Sequence, residues 1–209
     1  MPYALPFSHN AAASRGAGYS VRHFGALRFD HVMALARLYW VPAGMAATQG
    51  AYVAYPLEDL LGILALESQR GHCMVIGEDL GTVPKGFRGS LAAAGVLSYH
   101  PFLFERTDDD GFKPPSDYPR QALTALSTHD LPTLRGFWKG SDLDTRNALK
   151  LLPSEEQRGN LVMERSQDRA RILMALEREE LLPEGASIHP VSMPDVTPPF
   201  MLAIHSFLA

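Results

Sequence analysis

Three carboxylates in this chain each follow a short apolar run. They lie in the segments Leu27-Arg28-Phe29-Asp30-His31, Val75-Ile76-Gly77-Glu78-Asp79 and Ser127-Thr128-His129-Asp130-Leu131. Two or three acids held at strand ends in one cleft are what the breaking and remaking of a glycosidic bond requires, because one serves as acid and base and another as nucleophile. Asp30, Glu78 and Asp130 are therefore the first candidates for a reaction centre.

Composition restricts the class of ligand. The 209 residues are 46% hydrophobic and 20% charged, as in an ordinary globular protein. A net charge of -4 supplies no basic field, so neither nucleic acid nor a membrane surface is expected as a partner. The single cysteine, the lack of a secretory signal pattern and the lack of a long apolar stretch predict a cytoplasmic location.

Apolar runs alternate with stretches of helical period, which predicts an α/β fold with a parallel sheet. Strands are predicted over residues 26–30, 73–78, 97–104 and 122–127. Helices are predicted from Pro56 to about 65, over 84–94 with Gly95 ending the helix, from Ser154 toward Leu181 with Ile172, Leu173 and Leu176 buried, and at the chain end. Residues 106–119 and 183–199 are predicted loops.

The spacing of the acids indicates how these elements connect. Successive acids are 48 and 52 residues apart, against roughly 31 residues per β/α unit in an eight-stranded barrel. The first interval then holds one unit with a long loop, and the second holds two units. All three acids would lie at the rim where catalytic groups of β/α barrels converge. About four parallel strands cannot close an eight-stranded barrel, so the expected fold is a partial (β/α)8 TIM barrel.

Five segments, in combination and in this order, resemble the bacterial 4-alpha-glucanotransferases, also called amylomaltases or disproportionating enzymes. They are residues 27–31, Gly50-Ala51-Tyr52-Val53-Ala54-Tyr55-Pro56, 77–81, Gly111-Phe112-Lys113-Pro114-Pro115-Ser116-Asp117-Tyr118-Pro119 and 127–133. The resemblance spans roughly residues 25 to 208. It implies transfer of alpha-1,4-glucan segments from a maltodextrin donor to glucose or a maltodextrin acceptor. No His-Glu-x-x-His or similar ligand spacing accompanies the histidines, so no catalytic metal is expected, and no cofactor is expected either.

The resemblance implies a retaining mechanism. Asp30 would attack the anomeric carbon and hold a covalent glucosyl intermediate, while Glu78 would protonate the departing sugar and later deprotonate the acceptor. Asp30 must then be ionised while Glu78 keeps its proton. Arg28 points to the same side of the strand as Asp30, so it can hold the nucleophile charged by a bidentate contact.

Further sugar-binding residues follow from the same resemblance. Asp130 is the implied third carboxylate, which would bind hydroxyls of the distorted donor ring. His129 and His31 would hydrogen-bond such hydroxyls as well.

Three tyrosines in loop-like segments are candidates for stacking on glucose rings, because flat apolar sugar faces suit aromatic side chains. They are Tyr52, Tyr55 and Tyr118. Packing in the core is an equally open interpretation for each.

The residues alone also allow a purely structural role for each motif. Arg28 and Asp30 could form a structural ion pair. Asp79 is as acidic as Glu78, and only the resemblance selects Glu78. The sequence Thr128-His129-Asp130 would also suit a turn or a helix cap.

Members of the family run to several hundred residues, so residues 1–209 are interpreted as a C-terminal fragment of one catalytic domain. The first strands and the last strand would be missing, and residues 1–24 would be an irregular N-terminal segment. His100 stands where an arginine is expected. An open sheet would expose edge strands, which predicts poor stability or activity in isolation.

An alpha-glucan hydrolase and an inactive glucan-binding fragment remain the alternatives, and the sequence leaves the oligomeric state undetermined.

Overall fold

The computed structural model describes residues 21–209. These residues form two compact units, each with its own apolar core. The N-terminal unit contains the described residues up to Tyr99 together with Arg120–Leu123, and the C-terminal unit contains His100–Pro119 and Thr124–Ala209. Most of the irregular segment predicted over residues 1–24 lies outside the described residues.

The described chain mixes strands and helices, in agreement with the predicted α/β class. The strands are β1 (Ala26–Phe29), β2 (Arg37–Trp40), β3 (Ala51–Ala54), β4 (Met74–Gly77), β5 (Ser98–Pro101) and β6 (Ala122–Ala125). The α-helices are α1 (Leu57–Gly71), α2 (Phe87–Ala93), α3 (Leu134–Lys139), α4 (Ser141–Ala148), α5 (Glu155–Arg178) and α6 (Pro198–Leu208). Short 3-10 helices occupy Val32–Leu35, Ala47–Gln49, Phe102–Phe104, Pro115–Asp117 and Pro190–Ser192.

A parallel strand pair organises the N-terminal unit. β1 pairs with β4 in parallel, with Phe29 opposite Gly77. Ile76 also forms a parallel bridge with Leu97, so the chain leading into β5 joins the other side of β4. β1 was expected to be buried, but it is partly exposed because its only strand partner in the described chain is β4.

Helix α1 covers this strand pair. Pro56 precedes its first residue, where a missing N–H costs least, so the predicted start near Pro56 is confirmed. The helix buries Leu61 and Leu64 in the core that also contains Val32 and Val75. Helix and strands therefore share one apolar interior.

The antiparallel hairpin formed by β2 and β3 was not predicted. Tyr39 lies opposite Tyr52 in this pair. Each strand has only four residues, and the connection is far longer than the two-residue turns that give hairpins a sequence signal. The whole segment therefore looked like the long loop of one β/α unit.

The predicted strand over 97–104 proved shorter than expected. β5 ends at Pro101, and Phe102–Phe104 form a 3-10 helix. Proline has no N–H to donate to a strand ladder, so the sheet ends where Pro101 stands. Phe102 is instead fully buried in the core of the C-terminal unit.

The long helix α5 carries the core of the C-terminal unit. Ile172, Leu173 and Leu176 are fully buried, as predicted, and pack in a cluster with Trp138 and Phe200. The Ser154 hydroxyl accepts a hydrogen bond from the Gln157 N–H and so caps the first turn. The helix ends at Arg178, a few residues before the predicted limit.

Two short helices before α5 were not predicted. α3 and α4 meet at Gly140, whose φ of 76° lies in the left-handed region that glycine adopts without a β-carbon clash. α4 is tied to α5 by a bidentate contact between Arg165 and Asp142, with N–O distances of 2.7 and 2.9 Å. The hydrogen bonds from Arg165 hold the pKa of Asp142 below its ordinary value.

None of the helices in the described part of the chain has both the length and the apolar character that crossing a membrane requires.

Leu173→Ala is expected to lower the free energy of unfolding by about 2–5 kcal/mol, because it leaves a cavity at a fully buried position. Met174→Ala on the same helix is the control, since Met174 is 53% exposed and its truncation leaves no buried cavity. Urea denaturation followed by circular dichroism measures both. Equal losses in the two variants would contradict the proposed core.

Candidate active site

The segments that follow β1 and β4 are hydrogen-bonded to each other at Glu78. The Glu78 N–H donates to the Phe29 carbonyl, and the Glu78 carbonyl accepts from the Val32 N–H, both at 2.9 Å. The Glu78 carboxylate accepts, through Oε2, from the His31 N–H at 2.8 Å. Asp30 lies between Phe29 and His31, so Glu78 fixes the backbone on both sides of Asp30.

The parallel register explains why these two acids meet. Phe29 and Gly77 are paired, and each is followed directly by a candidate acid. His31 then turns the chain in a left-handed conformation, with φ 45° and ψ 59°, and the 3-10 helix Val32–Leu35 begins. A β-carbon on Gly77 would lie 3.0–3.2 Å from Val32 side-chain atoms, so glycine permits this close approach.

The Glu78 carboxylate is buried and held at both oxygens. Besides the bond from His31, its Oε1 accepts from the Leu80 N–H at 2.8 Å. Only 9% of the residue is exposed. Its two donors are neutral backbone groups, and the carboxyl orientation is therefore set before any substrate arrives.

Asp30 has a different environment. Its side chain is 70% exposed, and Oδ1 accepts a hydrogen bond from Arg28 Nη1 at 2.6 Å. The expected Arg28–Asp30 contact is thus present, but as one hydrogen bond rather than a bidentate pair. The Arg28 guanidinium also lies over the Tyr99 ring, 5.3 Å from its centroid. An accessible carboxylate beside a cation is suited to nucleophilic attack.

Asp79 has a structural environment. It is 1% exposed, and its Oδ2 accepts from Arg88 Nε at 2.7 Å. Its Oδ1 accepts from the Tyr99 N–H at 3.2 Å, and its carbonyl accepts from Arg88 Nη2 at 3.0 Å. Both carboxylate oxygens are therefore used to join the end of β4 to α2 and β5. This favours Glu78 over Asp79 as the reacting acid, a choice that the residues alone left open.

The other candidates of the N-terminal unit lie close to these acids in sequence or on the hairpin. The His31 side chain is exposed, and its backbone N–H is what contacts Glu78. Tyr52 is on β3 and 62% exposed. The Tyr55 hydroxyl accepts from Trp40 Nε1 at 2.9 Å, and the Tyr55 N–H donates to the Ala36 carbonyl.

Asp130 and His129 belong to the C-terminal unit, shortly after β6. The Asp130 N–H donates to the Thr128 hydroxyl at 3.2 Å, and the Leu131 N–H donates to the Thr128 carbonyl. The segment is thus a turn. His129 Nε2 lies 3.3 Å from Asp130 Oδ2, and the two side chains are 66% and 79% exposed. The turn presents both polar groups to solvent.

Tyr118 belongs to a cluster that was only partly predicted. Its hydroxyl is buried and has no hydrogen-bond partner within the described chain. Burial, assisted by the charge of Glu105, raises the pKa of Tyr118 above its ordinary value. The His100 ring lies edge-on to the Tyr118 ring at 6.3 Å.

Glu105 is the centre of that cluster, and no motif in the sequence pointed to it. Its Oε1 lies 2.7 Å from His100 Nδ1, and its Oε2 accepts from Lys113 Nζ at 2.8 Å. Burial would raise the pKa of Glu105, but the hydrogen bonds and charges of Lys113 and His100 hold it below its ordinary value. His100 thus places a basic ring against a carboxylate at the position where an arginine was expected.

Residues 21–209 contain no group of three or more His, Cys, Asp or Glu side chains arranged to hold a metal ion.

Comparison with known proteins gives consistent results. The sequence model of the 4-alpha-glucanotransferase family matches residues 16–197. The 4-alpha-glucanotransferase of Haemophilus influenzae is 43% identical over 164 residues, which are 78% of this chain and 23% of that protein. The 4-alpha-glucanotransferase of Mycobacterium tuberculosis is 38% identical over 171 residues, again 23% of its length. The chain thus spans about a quarter of these relatives.

Solved structures agree with the sequence relatives. The amylomaltase from Corynebacterium glutamicum superposes with a TM-score of 0.83 at 29% identity, covering 94% of this chain and 28% of that one. The amylomaltase from Streptococcus agalactiae, solved in complex with acarbose, gives a TM-score of 0.58 at 15% identity over 96% of this chain and 34% of that one, which shows similarity of fold.

Asp79→Asn is expected to lower the free energy of unfolding by about 1–3 kcal/mol, because a buried carboxylate that accepts from Arg88 and Tyr99 is replaced by an amide. Asp30→Asn is the matched control, since Asp30 is largely exposed and its replacement should change stability by no more than about 0.5 kcal/mol. Urea denaturation at neutral pH compares them. A reversed order would contradict the assigned structural role of Asp79.

The lowered pKa of Glu105 predicts that its contribution to the free energy of unfolding is lost in acid. Because its pKa is depressed in the folded state, its contribution is full above the ordinary value of 4.5 and is lost as pH falls through the folded value. The difference in unfolding free energy between the unmutated protein and Glu105→Gln should therefore shrink as pH falls from 7 to 3. The exposed Glu177, replaced by Gln, is the control. A difference that grows toward low pH would show the opposite linkage.

Proposed function

Because this chain belongs to the 4-alpha-glucanotransferase family, we propose that it transfers alpha-1,4-glucan segments to an acceptor sugar. The donor is a maltodextrin or other alpha-1,4-glucan, and the acceptor is glucose or a maltodextrin. The reaction is a retaining double displacement at Asp30 and Glu78.

One observation carries the assignment of these two residues. Glu78 bonds the backbone of Phe29, His31 and Val32, and so holds the Asp30 segment against its own carboxylate. A retaining mechanism needs two carboxyl groups only about 5–5.5 Å apart, and therefore a fixed relation between them. The parallel register of β1 and β4, which places the two acids directly after paired residues, supports such a relation.

The proposed first step forms one bond and breaks one. An Asp30 carboxylate oxygen bonds to the anomeric carbon, the glycosidic bond breaks, and Glu78 gives its proton to the departing sugar oxygen. In the second step Glu78 removes the proton of an acceptor hydroxyl, whose oxygen bonds to the anomeric carbon and releases Asp30. Arg28 orients the Asp30 carboxylate through their hydrogen bond.

The remaining candidates carry over as proposals from their motifs. Asp130 is the third carboxylate, which binds sugar hydroxyls, and exposure of both Asp130 and His129 supports contact with a ligand. The His31 ring binds hydroxyls beside Asp30. The aromatic contacts are assigned to Tyr52, Tyr55 and Tyr118, with the buried hydroxyl of Tyr118 limiting that residue to contact through its ring.

We also propose the finer description of the fold. The parallel strands and helices are part of a (β/α)8 TIM barrel, and residues 1–209 belong to one catalytic domain. Structural similarity to the amylomaltase of Corynebacterium glutamicum over 94% of this chain supports this proposal. The cytoplasmic location and the lack of a cofactor stay predictions of the sequence.

Incubation with maltotriose tests the function. Transfer yields glucose together with longer maltodextrins, which chromatography separates. Glu78→Gln should reduce the rate by about 10²–10⁴-fold, because it removes the acid and base. Asp30→Asn should abolish the covalent intermediate. Asp59→Asn, at an exposed position on α1, is the control and should leave the rate unchanged.

The product pattern separates the alternatives. Glucose and maltose without longer products would identify an alpha-glucan hydrolase that uses the same acids. Maltotriose that is bound but left intact would identify a non-catalytic glucan-binding chain. Full activity in Glu78→Gln would contradict the assigned roles while leaving transfer itself established.

A further inference from the structure

The hairpin of β2 and β3 presents two side-chain faces of different chemistry. Arg37 and Tyr39 of β2 share one face with Tyr52 of β3, because Tyr39 lies opposite Tyr52 and alternate residues of a strand point the same way. We call this set the tyrosine face. The opposite face carries Leu38, Trp40, Ala51 and Val53.

Side chains of the tyrosine face are exposed and yet held in place. Tyr52 is 62% exposed and Tyr39 is 45% exposed. The Tyr39 hydroxyl donates to the Ala47 carbonyl at 2.7 Å, and its ring meets the Tyr52 ring edge-on at 5.2 Å. The Arg37 guanidinium lies 4.5 Å from the Tyr52 ring centroid. Rings that are already ordered lose little conformational entropy when a ligand binds.

The chemistry of this face suits a carbohydrate. A sugar ring has an apolar face that packs on aromatic carbon and a rim of hydroxyls that needs hydrogen-bond donors and acceptors. Tyr39 and Tyr52 supply aromatic surface, and Arg37 supplies several donors. The opposite face has no charged group and is the one a protein partner would favour.

The hairpin is also continuous with the proposed reaction centre. Only the 3-10 helix Val32–Leu35 and Ala36 separate Asp30-His31 from β2. The Val32 N–H is bonded to the Glu78 carbonyl, and the Ala36 carbonyl accepts from the Tyr55 N–H. The Ala36–Tyr55 bond therefore closes the open end of the hairpin, directly after the segment that is bonded to Glu78.

We propose that the tyrosine face binds an alpha-1,4-glucan chain at glucose units away from the reacting bond, with Arg37 and Tyr39 as binding residues beside Tyr52. The inference rests on the proposed function and extends it, since it makes this face a determinant of substrate length. A long glucan reaches both the acids and the hairpin, whereas a trisaccharide is bound by the acids and their neighbours.

The test compares two ligands on the Glu78→Gln background, in which the glucan is not consumed. Calorimetry with maltoheptaose should show binding weakened about tenfold by Tyr39→Ala. Binding of maltotriose should change less than twofold. Tyr39→Phe keeps the ring and should bind maltoheptaose nearly normally. Leu38→Ala, an exposed truncation on the opposite face of the same strand, is the matched control and should have no effect.

The two tryptophans show whether the hairpin stays folded. Trp40 is 57% exposed and Trp138 is 1% exposed, so acrylamide quenches Trp40 selectively. Tyr39→Ala should keep the quenching of the unmutated protein. Low quenching in that protein without ligand would mean that another protein surface covers the hairpin and would overturn the proposal.

The outcomes separate this inference from the proposed function. Maltotriose transfer with maltoheptaose affinity unchanged by Tyr39→Ala would overturn the tyrosine face and leave the function in place. If Tyr39→Ala weakens maltoheptaose binding but the unmutated protein has no transferase activity, the tyrosine face is supported as a binding site and the proposed function is contradicted. Equal weakening for both ligands would contradict a role in substrate length, because it would place Tyr39 at the reacting sugars.

Discussion

The attachment of Glu78 to the segment Phe29–Val32 is the constraint on which the candidate site depends. Three hydrogen bonds, two through the Glu78 backbone and one through its carboxylate, join residues that are far apart in the chain. Backbone bonds cannot be relaxed by a side-chain rotation, so Asp30 and Glu78 can separate only if the ends of β1 and β4 separate. Gly77 permits the close approach of the two strand ends, since a β-carbon at this position would crowd the Val32 side chain.

Three neighbouring acids acquire different roles from their surroundings. Glu78 accepts from neutral backbone donors, Asp79 accepts from Arg88 in a buried site, and Asp30 faces solvent beside Arg28. Glu78 and Asp79 are consecutive in the chain, yet their carboxylates contact different partners. Asp79, next to the proposed acid and base Glu78, also joins α2 and β5 to the end of β4.

Within each unit, polar groups proposed to contact sugar are displayed on a support that is itself buried. In the N-terminal unit Asp30 and the tyrosine face are exposed above the core containing Val32, Leu61 and Val75. In the C-terminal unit the Asp130 turn follows β6, while Leu173 of α5 lies in the fully buried cluster. A rigid support limits how far exposed groups can move when they bind a flexible glucan.

Several local elements were available from the sequence, because apolar periodicity, Pro56 and the Ser154 cap act over a few residues. The family was likewise recognisable from five motifs. The β2–β3 hairpin, the role of Asp79 and the Glu105 cluster were not, because each depends on partners that only folding brings together. The sequence by itself thus determined which carboxylates could react, whereas the parallel register of β1 and β4 decided which of them are held together, since hydrogen bonds between distant segments leave no local pattern.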